Sequence, residues 1–140
     1  MADTAALVRF SPQALAALRI MAGLLFLAHG TVKLFGWPEV EGMGRVPLAS
    51  LAGIGGVIEF IGGALIALGL FTRIAAFIAS GEMAVAYFLF HAPQGFYPVA
   101  NGGDAAILYC FIFLYLFFAG PGSVSLDAVR SGRGELRAPV

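Results

Sequence analysis

Charged side chains and cysteines are scarce in this sequence of 140 residues. Charged residues make up 11%, with 8 basic and 8 acidic side chains and a formal net charge of zero. So few charges cannot coat a soluble domain of this size, and the absence of a basic patch argues against a nucleic-acid partner. The single cysteine, Cys110, excludes an intrachain disulfide, a dithiol redox pair and a cysteine-based metal site.

Apolar residues fill the space that charges leave. Hydrophobic residues make up 60% of the chain, and the mean hydropathy is +0.92. These values predict an integral membrane protein, an all-α bundle of four transmembrane helices. The predicted helices lie at 12–35, 48–71, 73–91 and 105–119. The predicted domains are an N-terminal tail (1–13), a transmembrane domain (14–122) and a C-terminal tail (123–140).

The arginines predict an orientation in the membrane. If there are four crossings, most basic residues lie on one side, and only Lys33 and Arg45 lie near the other. The residues on the basic side are Arg9, Arg19, Arg73, Arg130, Arg133 and Arg137. By the positive-inside rule both termini are cytoplasmic, so the loops at 36–49 and 92–103 face outward. We expect a multi-pass protein of the cytoplasmic (inner) membrane.

Two ionisable residues interrupt the first apolar segment. His29 and Lys33 share one helical face with Arg19 and Phe26, so this face is expected to look into the protein. The second helix carries Gly55, Gly62 and Gly69 at spacings of seven, with Gly56 and Gly63 beside them. Glu59 lies on this glycine face, where a neighbouring helix can approach closely. We therefore predict that Glu59 faces Lys33 or His29. Thr72 is predicted to cap the third helix.

Several polar residues fall in the same predicted outer half of the bundle. They are the candidate ligand-binding residues His29, Lys33, Glu59, Glu82, His91, Asn101 and Asp104. One interpretation is structural: buried polar contacts hold the helices in register. The other is a pocket open to the outer side. No Glu-x-x-His pair or adjacent histidine pair suggests a metal. A quinone-like ligand suits the pocket, since such a ring needs an apolar slot with hydrogen-bond donors from Lys33 and the histidines. Proton delivery is also compatible with these residues.

A set of short motifs resembles the DoxX family of small four-helix membrane proteins, over roughly residues 14–127. The motifs are Leu27-Ala28-His29-Gly30-x-x-Lys33-Leu34-Phe35-Gly36, Gly55-Gly56-x-x-Glu59, Gly69-Leu70-Phe71-Thr72-Arg73, the helix end at His91, Asn101-Gly102-Gly103, and Gly120-Pro121-Gly122 followed by Ser125-Leu126-Asp127. Members of the family commonly have an acidic residue shortly after the Asn-Gly-Gly element, and Asp104 fills that place. No single motif is specific, but their order and spacing together are.

The resemblance implies a membrane protein linked to oxidoreductase chemistry. Relatives include a subunit of a thiosulfate:quinone oxidoreductase, members associated with quinone responses, and a member that assembles with sulfurtransferase and superoxide dismutase partners. We therefore expect an oxidoreductase subunit that handles quinone and has no covalently bound cofactor. The alternatives are a non-catalytic anchor or assembly partner for redox-stress proteins and a small solute or proton pathway. The sequence does not determine whether the chain is catalytic alone, which ligand it binds or which redox protein is its partner. It also leaves the oligomeric state undetermined, and a homo-oligomer is one of the possibilities.

Overall fold

A computed structural model describes residues 4–132, and their regular secondary structure is helical throughout. The α-helices are α1 (Thr4–Val8), α2 (Ser11–Phe35), α3 (Leu51–Leu68), α4 (Thr72–Ala86), α5 (Pro98–Asn101), α6 (Asp104–Ala119) and α7 (Leu126–Arg130). A π-helical turn over Tyr87–His91 and a 3-10 turn over Ala92–Gln94 continue α4. The all-α prediction is confirmed for these residues. Arg133 and Arg137, which contributed to the predicted orientation, lie outside the described residues.

Within residues 4–132, three helices are long and apolar enough to cross a membrane: Ser11–Phe35, Leu51–Leu68 and the continuous helix Thr72–Gln94. The helix Asp104–Ala119 is also apolar but shorter, at 16 residues. The predicted segment at 48–71 was too long at both ends. Ser50 caps α3, because its side chain accepts a hydrogen bond from the Gly53 N–H, and Gly69 ends the helix with a left-handed φ of 67°.

Glycines bring the backbones of α2 and α3 into contact. A Cβ added at Gly23 would lie 2.5 Å from the Ala67 nitrogen, and one added at Gly63 would lie 2.5 Å from the Leu27 nitrogen. No real Cβ comes that close, so only glycine permits this packing. The predicted glycine face therefore divides between two neighbours: Gly63 meets α2, whereas Gly55, on the adjacent face, meets the Glu82 side chain of α4.

An apolar core separates the two ends of the bundle. Helix α2 packs against α3, α3 against α4, α4 against α6, and α6 touches α2. Their shared core consists of Ala22, Phe26, Ile66, Ala75, Ala76, Ala79, Met83, Ala106, Phe113 and Leu116. We name the end where α2 and the Thr72–Gln94 helix finish and α3 and α6 begin the cavity end. The opposite end, where α7 packs, is the closed end.

Candidate functional site

A cavity of about 360 Å³ lies at the cavity end. Its walls come from α2, α3, α4 with its π-turn, α6 and the connecting loops. The lining residues are Phe26, His29, Lys33, Met43, Ala52, Glu59, Met83, Ala86, Phe90, His91, Gly102, Ala105, Ala106 and Tyr109. Four predicted site residues, His29, Lys33, Glu59 and His91, therefore meet at one cavity although they come from three separate segments.

An ion pair joins the first two long helices beside the cavity. The Lys33 ammonium donates a hydrogen bond to Glu59 Oε1 at 2.7 Å, which confirms the predicted contact across this interface. The Glu59 side chain is only 3% exposed, whereas that of Lys33 is 23% exposed. Gly56 gives the lysine stem room, since a Cβ there would lie 3.0 Å from Lys33 Cβ. The pair is thus held by close helix packing and reaches the cavity through its ammonium.

Glu82 comes to the same ion pair from α4. A Cβ added at Gly55 would lie 2.9 Å from Glu82 Oε1 and 3.9 Å from Lys33 Nζ, so the carboxylate occupies space that any other residue at position 55 would fill. Gly55, which contacts the Glu82 carboxylate, precedes Glu59 by one turn of α3. The Glu82 and Glu59 carboxylates therefore lie about one helical turn apart along the α3 axis. Two acidic side chains therefore lie near one ammonium group, and the ion pair within 4.0 Å is the one between Lys33 and Glu59.

His91 lies at the other side of the cavity, at the end of the π-turn. Its Nδ1 is 3.1 Å from the backbone oxygen of Asn101. A carbonyl oxygen can only accept, so Nδ1 donates, and in the neutral ring Nε2 is left as a hydrogen-bond acceptor. The π-turn is closed by the Ala92 N–H donating to the Tyr87 carbonyl, a local widening that often occurs at functional sites.

The Asn101 side chain supports the wall rather than lining it. Its amide donates to the Gly95 carbonyl and its Oδ1 accepts from the Gly103 N–H, both at 2.8 Å. Asp104 is exposed and accepts the Ala105 N–H at 3.0 Å, outside the cavity lining. These two predicted residues thus shape the loop that carries Gly102 and the start of α6.

Comparison with known proteins places these residues in a family. The sequence model of the DoxX family matches residues 14–92, more than half of the chain. The chain belongs to the DoxX family. The matched region of this DoxX protein contains five of the predicted site residues, namely His29, Lys33, Glu59, Glu82 and His91.

Two relatives resemble this DoxX chain over most of their length. An uncharacterized protein of Haemophilus influenzae is 48% identical over 126 residues, covering 86% of this chain and 93% of the relative. An uncharacterized membrane protein of Mycobacterium tuberculosis is 32% identical over 138 residues, covering 87% of this chain and 84% of the relative. No solved structure matches the chain.

Sequence reasoning missed one aromatic wall of the DoxX cavity. Tyr109 is not among the predicted site residues, yet it lines the cavity and lies edge-on to His29 with ring centres 6.1 Å apart. Its ring also stacks on Phe113, one turn further along α6, at 5.6 Å. That i, i+4 spacing was the available signal. Among residues 4–132, no group of three or more His, Cys, Asp or Glu side chains is arranged to hold a metal.

Proposed function

We propose that this DoxX protein is a cytoplasmic-membrane subunit of an oxidoreductase system and that its cavity binds a quinone-like ring ligand. The cavity carries this proposal. Its walls are mostly apolar side chains, and its polar groups converge from opposite sides, as in small-molecule sites of a few hundred Å³. A subunit role is favoured over an independent enzyme because Cys110 alone supplies no dithiol pair.

The hydrogen bonds available at the two sides differ, and this difference selects the form of the ligand. Lys33 uses one donor on Glu59 and has others for a ring oxygen, whether that oxygen belongs to a carbonyl or to a hydroxyl group. Neutral His91 offers an acceptor rather than the donor expected from the sequence, because its Nδ1 already donates to Asn101. A ligand matched to both sides carries a hydroxyl group near His91. We therefore propose binding of the hydroxylated, quinol-type form.

A continuous solute or proton pathway is less compatible with the core. Phe26, Ile66 and Phe113 are completely buried in the middle of the bundle, between the cavity and the closed end. Along α2, α3, α4 and α6, no Asp, Glu, Lys, Arg or His lies between the level of Arg19 and Arg73 and the cavity residues. Ionisable groups mark ion pathways through membranes, and along these helices they stop at the cavity floor. The arrangement favours a site entered from one side.

We also propose four crossings with both termini cytoplasmic. At about 1.5 Å per residue the α6 helix is about 24 Å long, so it would span a hydrocarbon core of about 30 Å only with local thinning of the bilayer. Two cysteine variants made in a Cys110→Ala background test the orientation. Phe96→Cys should react with an impermeant thiol reagent in intact cells, and Val129→Cys only after lysis. Both wild-type side chains are exposed. The reverse labelling pattern would invert the topology.

Ligand binding is tested with three forms of one ring: duroquinol kept anaerobic, duroquinone, and the dimethyl ether of duroquinol. Calorimetric titration of the purified protein should show duroquinol binding about fivefold more tightly than the ether, since one hydrogen bond contributes about 1 kcal/mol. His91→Ala should remove that difference. Gln94→Ala is the matched control, because Gln94 is exposed in the next turn and does not line the cavity.

The comparison of ligands also separates a site from a scaffold. If the cavity residues only hold the helices together, none of the three compounds will bind and His91→Ala will lower the thermal midpoint instead. Equal affinity for duroquinol and its ether would contradict the assigned role of His91. Lys33→Met should weaken binding of duroquinone and duroquinol alike, because either form offers an oxygen to the ammonium.

A further inference from the structure

The charges beside the cavity do not balance. Glu59 and Glu82 bring two carboxyl groups to a single ammonium group, that of Lys33. If all three were ionised, a net negative charge would lie inside an apolar helix bundle. An uncompensated charge in such surroundings costs several kcal/mol, and a buried acid avoids that cost by holding a proton.

The hydrogen bonds are also incomplete on both acids. Oε2 of Glu59 and Oε2 of Glu82 are buried, and no donor among residues 4–132 lies within hydrogen-bond distance of either atom. Glu59 as a whole is only 2% exposed. A carboxylate oxygen needs a hydrogen-bond donor, whereas a protonated carboxyl group is itself a donor through its O–H. Unpaired oxygens on two neighbouring acids are therefore the arrangement expected when a proton lies on one of them.

We propose that Glu59 and Glu82 together bind one exchangeable proton beside Lys33, and that Glu82 is its principal carrier. Lys33 and Glu59 form the 2.7 Å ion pair, so the remaining acid is the one left to be neutral. The groups that face this site are Lys33 and His29 from α2, Glu59 from α3 and Tyr109 from α6. The proton exchanges through the cavity, which Lys33 and Glu59 line.

The proton site needs no ligand, so it stands or falls separately from the proposed quinol binding. It also deepens that proposal, since a protonated carboxyl beside Lys33 adds a donor at the end of the cavity that would hold the second ring oxygen. The proton passes only between carboxyl oxygens and water reaching the cavity. No electron or other atom moves with it.

Infrared spectroscopy of the ligand-free protein in nanodiscs counts this proton directly. At neutral pH the wild type should show the C=O stretch of one protonated carboxyl group per chain, shifted in D2O. Glu82→Gln should abolish it. Glu59→Gln should abolish it as well, because Glu82 would then pair with Lys33 in its ionised form. Lys33→Met should double it, since both acids would then be neutral.

The matched control is Glu41→Gln, an exposed glutamate in the loop between α2 and α3, which should leave the signal unchanged. The expected number of protonated carboxyl groups per chain is one in the wild type, none in Glu82→Gln, none in Glu59→Gln and two in Lys33→Met. Helical circular dichroism checks the fold of each variant. Absence of a protonated carboxyl in the wild type would overturn the proposal. So would a signal that survives in both glutamine variants. If one glutamine variant fails to fold, Lys33→Met still decides by its doubled or unchanged intensity.

Discussion

The two ends of the bundle hold their charges in different ways. At the closed end, Arg19 is fully buried and donates to the carbonyl oxygens of Ile66 and Ala67 at 3.1 Å and of Val124 at 2.7 Å. Two of these carbonyls belong to the last turn of α3, where helices have unpaired acceptors and a partial negative charge. The cation is thus stabilised mainly by backbone carbonyl oxygens, and the charge of Asp127 adds to them.

Asp127 is also stabilised by backbone groups at a helix end, but it is an anion at the start of a helix. Its two carboxylate oxygens accept the N–H groups of Phe71 and Thr72 at 2.9 Å each, at the start of α4. The prediction that Thr72 caps this helix is therefore wrong, because Thr72 is its first residue and Asp127 supplies the cap. Partial burial alone would raise the pKa of Asp127, but these backbone hydrogen bonds and the charge of Arg130 outweigh it and lower the pKa below its ordinary value.

These contacts also hold two strained residues. Phe71 and Val124 have φ values of 49° and 52°, in the left-handed region that residues other than glycine avoid. Each such residue costs about 1–2 kcal/mol. Asp127 accepts the N–H of Phe71, and Arg19 donates to the carbonyl of Val124. The closed end therefore uses its charges to fix the fold.

At the cavity end, by contrast, the charges lie in the middle of helices or away from free backbone groups. Glu59 and Glu82 can find donors only on other side chains or on a ligand, and one lysine does not satisfy both. The comparison teaches that a charge placed against the end of a neighbouring helix has fixed backbone partners, whereas a charge placed against the middle of neighbouring helices depends on groups that can titrate or exchange. Stability should therefore depend on the first end and binding on the second.

The largest effect is expected for Arg19→Met. The substitution keeps an apolar stem but removes the guanidinium donor from three carbonyl oxygens, of which that of Ile66 still accepts the Gly69 N–H. It should lower the free energy of unfolding by about 2–4 kcal/mol. Reversible unfolding in mixed detergent micelles measures the change. Arg9→Met, at an exposed arginine, should stay within about 0.5 kcal/mol. Equal effects of the two substitutions would show that the closed end is not the stabilising one.

The next largest effect is expected for Asp127→Ala. It should lower the free energy of unfolding by about 1–2 kcal/mol, the usual range for loss of a helix N-cap. Asp127→Asn should cost about 0.5 kcal/mol, because the amide still caps but carries no charge. Since the pKa of Asp127 is lowered in the folded protein, its stabilisation is present above the unfolded pKa and is lost as pH falls through the folded value. The difference in the free energy of unfolding between wild type and Asp127→Ala should therefore shrink below about pH 4. A gap independent of pH would contradict the charged cap.

Sequence reasoning reached the ion pair but not the cap. A lysine and a glutamate in adjacent apolar helices must avoid lipid, so the Lys33–Glu59 contact followed from polarity and from the glycines that allow close approach. Asp127 acts on a helix start 55 residues earlier in the chain, and it lies in a tail that shows no periodic pattern. Tertiary capping of this kind leaves no local signal.

The cavity was predictable only in part, for a related reason. The depth of His29 and His91 along their helices was enough to bring them to one site. The side of the His91 ring that donates depends on the Asn101 carbonyl, and the π-turn that ends at His91 has no sequence signature. Which glycines would face which neighbour depends on helix rotation, and a spacing of seven does not determine that rotation.

Gly55→Ala tests the cavity end with a smaller effect on stability. The new methyl group would push the flexible Glu82 carboxylate away, while alanine favours the helix by up to about 1 kcal/mol, so the two effects should nearly cancel. Gly81→Ala is the control, since a Cβ there meets no atom within 4 Å and only the helix gain applies. The infrared carboxyl signal should shift in frequency in Gly55→Ala alone. A shift in both variants would mean that the signal does not come from Glu82.

The smallest effect on stability is expected for Glu82→Gln, at less than about 0.5 kcal/mol. A neutral carboxyl and an amide have nearly the same shape, and no donor among the described residues is lost from the buried Oε2. Glu59→Gln breaks a 2.7 Å ion pair and should cost about 0.6 to 2 kcal/mol under the same conditions. The test is which of the two substitutions lowers the free energy of unfolding more. If Glu82→Gln unfolds more readily than Glu59→Gln, then Glu82 is a structural partner of Lys33, and the cavity end stabilises the fold in the way the closed end does.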